Sequence, residues 1–204
     1  MTPRLEFFYD CSSPWTYLAF SRIETIAARH RTELVWKPIL VGGVFNAVNP
    51  SVYEFRQRPV KPKQDYYRKD LQDWARLYGL KILAEPAVFP VNSVKAMRGA
   101  LVALDDGLVS PYTRRVFESY WASDRDISRD EVLRDIVREV GLDERSFFER
   151  IGSPACKERL RANTDELIAR GGFGSPTIFV NGSIFFGNDR LVLVEAELAR
   201  AAGD

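Results

Sequence analysis

Near its N-terminus the chain reads LEFFYDCSSPWTYLAFSRIETI over residues 5–26. The apolar run at the start of this stretch stops at Asp10, which predicts a strand followed by a turn. Behind the turn, apolar residues recur at helical spacing. We therefore expect a helix with Ser12 or Ser13 as its N-cap and Pro14 in its first turn.

A second strand is expected at residues 32–39, which alternate in polarity and are rich in β-forming side chains. Strand, helix and strand then follow one another within roughly forty residues, about the length of a βαβ unit. Because the strands of such a unit run in the same direction, the sequence predicts a parallel strand pair at the start of the chain.

The sequence changes character over residues 41–171, where helical patterns alternate with Pro and Gly and no strand is convincing. One pattern has Tyr67, Leu71, Trp74 and Leu77 at spacings of three and four residues. Further helices are predicted at residues 93–104, 111–121, 129–140 and 155–169. No period repeats, so a solenoid is not expected. The stretch predicts a large helical insertion.

The end of the chain returns to β-structure. Two apolar runs within residues 177–186 flank Asn181-Gly182, which predicts a β-hairpin because both turn residues must tolerate positive φ. A last helix is expected after residues 187–189, and its apolar face carries three residues, Leu191, Val194 and Leu198.

The predicted order is therefore βαβ, helical insertion, ββα. A βαβ half and a ββα half that share one sheet form the thioredoxin-like arrangement, and an inserted helical block is the variant found in disulfide oxidoreductases of the DsbA type. The sequence thus predicts an α/β fold. Its thioredoxin-like domain is expected at residues 1–40 and 172–204, and its all-helical insertion at residues 41–171.

Composition excludes several classes of protein. The 204 residues are 46% apolar, 28% charged and 12% aromatic, which is typical of a globular chain and not of a collagen, coiled coil or disordered protein. The formal net charge of +1 leaves no basic surplus for nucleic acid or anionic lipid. No apolar stretch approaches the roughly 20 residues of a membrane span. Residues 1–4 run straight into an apolar segment, so no export signal is expected.

The two cysteines and the single histidine limit the kinds of active site that the chain can form. Cys11 and Cys156 lie far apart in a chain that is large enough to bury its own core, which argues against a disulfide framework and for the cytoplasm. The single histidine, His30, lies where the first helix is expected to end. A zinc cluster or a Ser-His-Asp triad would need that histidine at the centre of a site, so we expect neither.

In a thioredoxin-like fold the reactive position is the turn after the first strand, where the helix N-terminus presents unpaired N–H groups and the positive end of its dipole. Redox members carry Cys-x-x-Cys there, whereas this chain has Ser13-Pro14-Trp15-Thr16, which cannot cycle through a disulfide. Such a turn stabilises a thiolate but has no thiol of its own, so it suits a ligand that brings one. Glutathione is the obvious candidate. The Ser13 hydroxyl would donate to its sulfur, while the helix end lowers the thiol pKa from about 8.5 towards neutrality. Alternatively, Ser13 is only an N-cap.

Two stretches near the C-terminus also fit glutathione. In Gly174-Ser175-Pro176-Thr177, a cis-proline beside the reactive turn would leave the backbone N–H and C=O of Ser175 free to pair with a peptide, whatever its side chain. In Gly187-Asn188-Asp189-Arg190-Leu191, the helix N-terminus can receive the γ-glutamyl carboxylate, and Asp189 can receive the α-ammonium group. The alternatives are a trans-proline at a strand start and residues that only cap the last helix.

These stretches, with residues 8–18 around the reactive turn, resemble the signature blocks of the 2-hydroxychromene-2-carboxylate isomerases. The nearest relatives of that family are the kappa-class glutathione transferases. A fourth stretch, residues 63–75, resembles the first long helix of the family's insertion. The likeness spans nearly the whole chain, with the four blocks in the family's order.

The resemblance implies a role for each matching residue. Ser13 would be the catalytic residue that contacts the glutathione sulfur. The rest of glutathione would be held by Ser175, Pro176 and Thr177 at the cysteinyl backbone, by Asn188 and Asp189 at the γ-glutamyl end, and by Lys63 at the glycyl carboxylate. Asn49 and Lys63 would line the substrate side. Two residues depart from the family pattern: Cys11, where a large apolar residue is common, and Ser175, which replaces an aliphatic residue.

The implied activity is cis-trans isomerisation of 2-hydroxychromene-2-carboxylate or a related aromatic pyruvate, with glutathione as a recycled cofactor whose thiolate adds and leaves reversibly. An apolar cleft between sheet and insertion would suit such a small aromatic carboxylate, with Trp15, Phe45 and Trp74 as candidate walls. A homodimer and a role in aromatic catabolism are also implied. Two alternatives stay open. One is a kappa-type glutathione transferase or peroxidase that consumes glutathione, and the other is a thiol redox protein whose reactive group is Cys11.

Overall fold

The computed structural model describes residues 3–203 and contains the predicted βαβ unit. Its elements are strand β1, Arg4–Tyr9, helix α1, Pro14–Arg29, and strand β2, Glu33–Pro38. The two strands are parallel neighbours, with Leu5 opposite Leu34. The predicted parallel pair is confirmed.

The C-terminal part of the chain completes the same sheet with two strands, β3, Thr177–Val180, and β4, Ser183–Phe186. They form the predicted hairpin, and Asn181 and Gly182 have φ of 49° and 93°, as its turn requires. Strand β3 pairs antiparallel with β1, so the strand order is β2-β1-β3-β4. The βαβ and ββα halves share one sheet, which confirms the thioredoxin-like arrangement.

The last helix follows a short 3-10 turn, Asn188–Arg190, and is labelled α10, Leu191–Ala202. Its three buried residues are the ones that the sequence pattern predicts, Leu191, Val194 and Leu198. They pack in the same apolar cluster as the residues of β3 that point to that face of the sheet.

Helices fill the chain between β2 and β3. They are α2, Val41–Val48, α3, Ser51–Gln57, α4, Lys61–Tyr78, α5, Val94–Asp105, α6, Val109–Phe117, α7, Asp130–Val140, α8, Glu144–Gly152, and α9, Pro154–Ala169. A π-helical segment, Glu118–Ala122, continues α6. Nowhere in residues 3–203 is a helix both long and apolar enough to cross a membrane.

The predicted helices correspond to α4, α5, α6 with its π-helical segment, α7 and α9. The sequence pattern does not predict α2, α3 and α8. Each of these has only seven to nine residues, which is too short for helical spacing to repeat. Helix α4 begins at Lys61, before the apolar pattern starts at Tyr67, because Pro62 is suited to a first turn.

The described strands lie before residue 40 or after residue 172, with α2 to α9 between them. The division into a domain of residues 1–40 and 172–204 and an insertion of residues 41–171 stays a prediction. The structure does not describe residues 1, 2 and 204. The outer bounds of the predicted domain, and part of the export-signal prediction, therefore fall outside the described residues.

Alternation along β1 sends its buried side chains into two apolar clusters. Phe7 and Tyr9 belong to the larger cluster, with α1 and most of the insertion, and Phe8 belongs to a smaller one on the opposite face. At the end of the strand, the indole of Trp121 donates a hydrogen bond of 2.9 Å to the carbonyl oxygen of Cys11. The insertion thus helps to fix the turn that precedes α1.

Gly99 is a point of close packing within the insertion. A Cβ at this position of α5 would lie 2.1 Å from the hydroxyl oxygen of Tyr112 and 2.5 Å from Cζ of Phe147. Both rings are buried, so neither has free space into which to move. We predict that Gly99→Ala lowers the free energy of unfolding by about 1–3 kcal/mol, measured by urea denaturation.

Gly152→Ala is the matched control, because a Cβ at the end of α8 would have no heavy atom within 4 Å. Alanine is the better helix former by up to about 1 kcal/mol, so the free energy of unfolding should stay unchanged or rise. An equal loss in Gly99→Ala and Gly152→Ala would show that close packing at Gly99 is not the cause.

Candidate active site

The N-terminus of α1 is built as the sequence predicts. Ser13 is the N-cap, and its Oγ accepts a hydrogen bond of 3.3 Å from the backbone N–H of Thr16. The backbone N–H of Ser13 donates to the carbonyl oxygen of Asp10, which closes the turn after β1. Other N–H groups of the first helical turn have no intrahelical acceptor, so this end of α1 favours negative charge.

A bend at the start of β3 lies against this helix end. The Ser175-Pro176 peptide bond is cis, as the sequence analysis predicts. The Ser13 hydroxyl donates to the carbonyl oxygen of Ser175 at 3.1 Å. The two segments are 162 residues apart in sequence. They are joined through the Ser13 hydroxyl, which is also the group expected to donate a hydrogen bond to the glutathione sulfur.

The Ser175 side chain also joins these segments. Its Oγ accepts from the backbone N–H of Asp10 at 3.0 Å and lies 2.8 Å from the hydroxyl oxygen of Thr16. Ser175 is buried, so both hydrogen bonds are shielded from water. An aliphatic residue could make neither hydrogen bond, so the Ser175 side chain has a structural role at the reactive turn that the sequence pattern does not indicate.

The backbone of Ser175 is only half free. Its carbonyl oxygen accepts from Ser13, whereas its N–H donates to no acceptor within residues 3–203. A peptide could therefore pair with the N–H directly, and its own N–H could take the place of the Ser13 hydroxyl at the carbonyl oxygen. Such an exchange would release the Ser13 hydroxyl.

Asp10 is a site residue for which the sequence pattern predicts only a turn. Its buried carboxylate accepts from the backbone N–H of Ser12 and of Val41, each at 2.9 Å, and from the hydroxyl of Ser93 at 3.0 Å. Burial raises the pKa of Asp10, and these hydrogen bonds oppose the rise. One carboxylate thus links the reactive turn to the first residue of α2 and to the residue before α5.

Cys11 is fully buried, and its backbone N–H donates to Sδ of Met97 at 3.3 Å. Burial, and secondarily the nearby Asp10 carboxylate, raise the pKa of the Cys11 thiol well above its ordinary value. Both Cys11 and Cys156 are free thiols. Because a buried, protonated thiol is a poor nucleophile, these findings oppose the alternative in which Cys11 is the reactive group.

The loop before α10 forms another part of the site. Asn188 is 2% exposed, and its Nδ2 has no hydrogen-bond acceptor of good geometry among the described residues, although the Tyr78 phenol lies beside it. Asp189 is exposed and forms an ion pair with Arg190. A Cβ at Gly187 would lie 2.7 Å from Oδ1 of Asp189, and the φ of Gly187 is +99°, so this bend requires glycine.

These features meet in one cleft of about 1430 Å³ between the sheet and the insertion. Six of the predicted site residues line it, namely Ser13, Asn49, Ser175, Pro176, Asn188 and Asp189. The three predicted aromatic walls, Trp15, Phe45 and Trp74, line it as well. The cleft therefore brings together most residues that the resemblance selects.

Two predicted site residues lie elsewhere. Thr177 is fully buried behind the cleft, where its hydroxyl donates to the carbonyl oxygen of Gly174 at 2.8 Å. Lys63 is exposed in the first turn of α4 and is not one of the residues that line the cleft. The lining face of α4 carries Gln64, Tyr67 and Leu71 instead.

Sequence reasoning also misses lining residues of the insertion, notably Arg56 on α3 and Tyr67 on α4. Tyr67 stands in the apolar pattern of α4, where an aromatic residue is usually part of a core, although it is 43% exposed. Arg56 lies on a helix that the pattern does not predict. Neither residue gives a local signal that separates it from its neighbours.

Comparison with known proteins places this chain in a family. Residues 4–199 match the family described as the DSBA-like thioredoxin domain. A 2-hydroxychromene-2-carboxylate isomerase of Pseudomonas putida is 30% identical over 96% of this chain and 94% of that protein. A 2-hydroxychromene-2-carboxylate isomerase of Sphingobium xenophagum is 30% identical over 97% of this chain and 99% of that protein. Glutathione S-transferase kappa 2 of Caenorhabditis elegans is 28% identical over 96% and 91%.

Solved structures agree with these relatives. The structure of a 2-hydroxychromene-2-carboxylate isomerase matches with a TM-score of 0.83 at 29% identity, over 98% of this chain and 96% of that one. The cytosolic disulfide reductase DsbM of Pseudomonas aeruginosa, solved with GSH, has a TM-score of 0.64 at 17% identity over 98% of both chains, which shows a shared fold alone. With relatives at 30% identity over nearly its whole length, this chain belongs to the DSBA-like thioredoxin domains and, within them, to the 2-hydroxychromene-2-carboxylate isomerases, a family of enzymes.

Proposed function

We propose that this protein is a glutathione-dependent cis-trans isomerase that acts on 2-hydroxychromene-2-carboxylate or a related aromatic pyruvate. The observation that carries the proposal is the α1 N-terminus, which offers the cleft a serine hydroxyl and no accessible thiol. Such a site can stabilise a thiolate only if a ligand brings it.

The residues of the cleft fit the cysteinyl part of glutathione. The free N–H of Ser175 would pair with the cysteinyl carbonyl, and the Ser175 carbonyl oxygen would accept the cysteinyl N–H. The Ser13 hydroxyl, displaced from that oxygen, would then donate to the sulfur. Together with the helix dipole, this hydrogen bond would favour the ionised thiol.

The loop before α10 fits the γ-glutamyl end. The buried Nδ2 of Asn188 lacks a good acceptor, so a carboxylate oxygen of the ligand would remove an unsatisfied donor. The Asp189 carboxylate would take the α-ammonium group in exchange for its exposed pairing with Arg190. Lys63 stays a proposed partner of the glycyl carboxylate, and Asn49 and Lys63 stay proposed substrate-side residues.

When bound, glutathione supplies a thiolate that adds reversibly to a carbon–carbon double bond conjugated to a ketone, which makes that bond rotatable. The protein's part is to keep the sulfur ionised at Ser13 and to hold the substrate plane between Trp15, Phe45 and Trp74. It must also stabilise the negative charge that develops on the ketone oxygen. Because the addition is reversible, the proposed reaction would not consume glutathione.

A kappa-type glutathione transferase or peroxidase is the second candidate, and the kappa relative at 28% identity favours it. It would use the same glutathione residues but would consume the thiol with an electrophile. We also propose a cytoplasmic location, which the two free cysteines support. The homodimer and the role in aromatic catabolism stay predictions.

Glutathione affinity tests the γ-glutamyl assignment. Because Asp189→Ala removes a charged partner of the α-ammonium group, we predict that the Kd for reduced glutathione rises about tenfold or more by calorimetry at neutral pH. Asp65→Ala is the control, since this exposed acid of α4 pairs with Lys61 away from the cleft. No binding at millimolar glutathione, or equal affinity in both variants, would contradict the assignment.

Turnover tests Ser13. Since Ser13→Ala removes the donor to the sulfur, we predict that kcat falls about 100-fold, as for loss of a donor at a developing charge. The variant also loses an N-cap, which costs about 1 kcal/mol of stability.

Ser153→Ala is the matched control, because Ser153 caps α9 through the N–H of Cys156 and lies outside the cleft. It should lose similar stability and keep its kcat, measured from the absorbance of an aromatic pyruvate. An equal kcat in the two variants would remove Ser13 from the chemistry.

A further inference from the structure

Three arginines line the cleft, Arg56, Arg68 and Arg190. Arg68 forms an ion pair with Glu85, and Arg190 forms one with Asp189. Arg56 differs from them, since no carboxylate within residues 3–203 lies within 4 Å of its guanidinium nitrogens. The cleft therefore has one cation whose charge is not already matched by a described residue.

Aromatic side chains place this cation within the cleft. The guanidinium carbon of Arg56 lies 5.4 Å from the ring centre of Phe89 and 5.9 Å from that of Phe45, and both rings also line the cleft. Both distances are in the range of cation–π contacts, so the planar guanidinium lies beside apolar walls of the cleft. A ligand that fits this arrangement has a flat apolar body with an anionic group at one end.

Tyr67 supplies a hydrogen-bond donor to the same cleft. Its phenol oxygen accepts from the indole N–H of Trp15 at 2.7 Å, and the two rings meet edge-on with centres 5.2 Å apart. Because that hydrogen bond uses an oxygen lone pair, the phenol keeps its own proton, which has no acceptor among the described residues. Trp15 follows Ser13 by two residues, so the first turn of α1 positions both the Ser13 hydroxyl and this phenol.

The protonation state of the Tyr67 phenol allows it to donate a hydrogen bond. Partial burial in the cleft raises the pKa of Tyr67, and the Trp15 hydrogen bond and the Arg56 charge oppose the rise. The phenol therefore stays protonated at neutral pH. Arg56 and Tyr67 line the same cleft, where Phe45 and Phe89 flank the guanidinium and Trp15 holds the phenol.

We propose that Arg56 and Tyr67 form the recognition site for the 2-oxo acid group of the substrate. The Arg56 guanidinium binds the carboxylate, and the Tyr67 phenol donates a hydrogen bond to the adjacent keto oxygen, while Trp15 is a positioning residue for that phenol. This inference rests on the proposed function and names the group by which the substrate is selected. It adds Arg56, a cation that lines the cleft, to the proposed substrate-side residues Asn49 and Lys63.

The chemistry of a 2-oxo acid matches this pair. Its carboxylate and keto oxygens are neighbours, so one ligand can reach a cation and a neutral donor together. The keto oxygen gains negative charge when the conjugated double bond is attacked, and a donor fixed by Trp15 would stabilise that charge without reorganisation. A transferase for neutral electrophiles would have no use for an unmatched arginine at this place.

Binding of an unreactive analogue tests the pair without turnover. The probe is 2-oxo-4-phenylbutanoate, which lacks the double bond, titrated by calorimetry into protein saturated with glutathione. We expect the Kd to rise at least about tenfold for Arg56→Gln and about three- to tenfold for Tyr67→Phe. The matched controls Arg58→Gln and Tyr66→Phe change exposed neighbours that do not line the cleft, and they should bind as the wild type does.

Two comparisons separate these roles from a general disturbance. With the uncharged amide of the probe, the difference between Arg56→Gln and wild type should vanish. Trp15→Phe keeps an aromatic wall but removes the indole N–H that holds the phenol, so it should weaken probe binding more in the wild-type background than in the Tyr67→Phe background. Each variant should bind glutathione as the wild type does, which also reports that it is folded.

A wild type that does not bind the probe, or an unchanged Kd in Arg56→Gln or Tyr67→Phe, would overturn the inference. Failure of the proposed function gives a different result. In that case the wild type would not bind glutathione in the separate titration, whereas the probe and its variant pattern would still report on Arg56 and Tyr67.

Discussion

The buried carboxylate of Asp10 is the constraint on which the site depends. Asp10 directly follows β1, and its carboxylate accepts hydrogen bonds from the reactive turn, from Val41 at the start of α2 and from Ser93 just before α5. A carboxylate in this position costs free energy unless such donors satisfy it, and the raised pKa of Asp10 shows that burial outweighs them. The hydrogen bonds from Val41 and Ser93 tie two elements of the insertion to the turn after β1. That placement creates the cleft.

The second constraint is the contact between Ser13 and the cis-proline bend. In a redox relative a cysteine at this turn would carry the chemistry, but here the only nearby thiol, Cys11, is buried and protonated. What remains is a helix end, a hydroxyl and a backbone N–H, which together form the proposed receptor for a thiolate. The Ser13 hydroxyl donates to the Ser175 carbonyl oxygen, so the proposed binding of a thiol peptide would exchange this hydrogen bond for others and would not leave either group unpaired.

Much of the fold can be predicted from the sequence because its signals are local. The alternation of β1 and β2, the capping serine before Pro14 and the Asn181-Gly182 turn each depend on a few adjacent residues. The positions of Ser13, Asn188 and Asp189 follow, since each lies at the start of a predicted helix. Helices of two turns such as α3 leave no such pattern, and residues on them escape notice.

The rest of the site depends on long-range geometry. The Ser175 side chain meets Asp10 and Thr16 across more than 150 residues of sequence, and no pattern around Ser175 indicates that contact. Lys63 matches a family motif, but a motif does not fix how α4 is rotated about its axis. The structure turns Tyr67 towards the cleft and leaves Lys63 in solvent.

The measurement that tests the central claim most directly is the pKa of the glutathione thiol on the protein, followed by thiolate ultraviolet absorbance as the pH is raised. With the sulfur at the α1 N-terminus beside Ser13, we predict a pKa at least about one unit below the value near 8.5 of an ordinary thiol. Bound glutathione that titrates like the free thiol would contradict the claim that this helix end stabilises a thiolate.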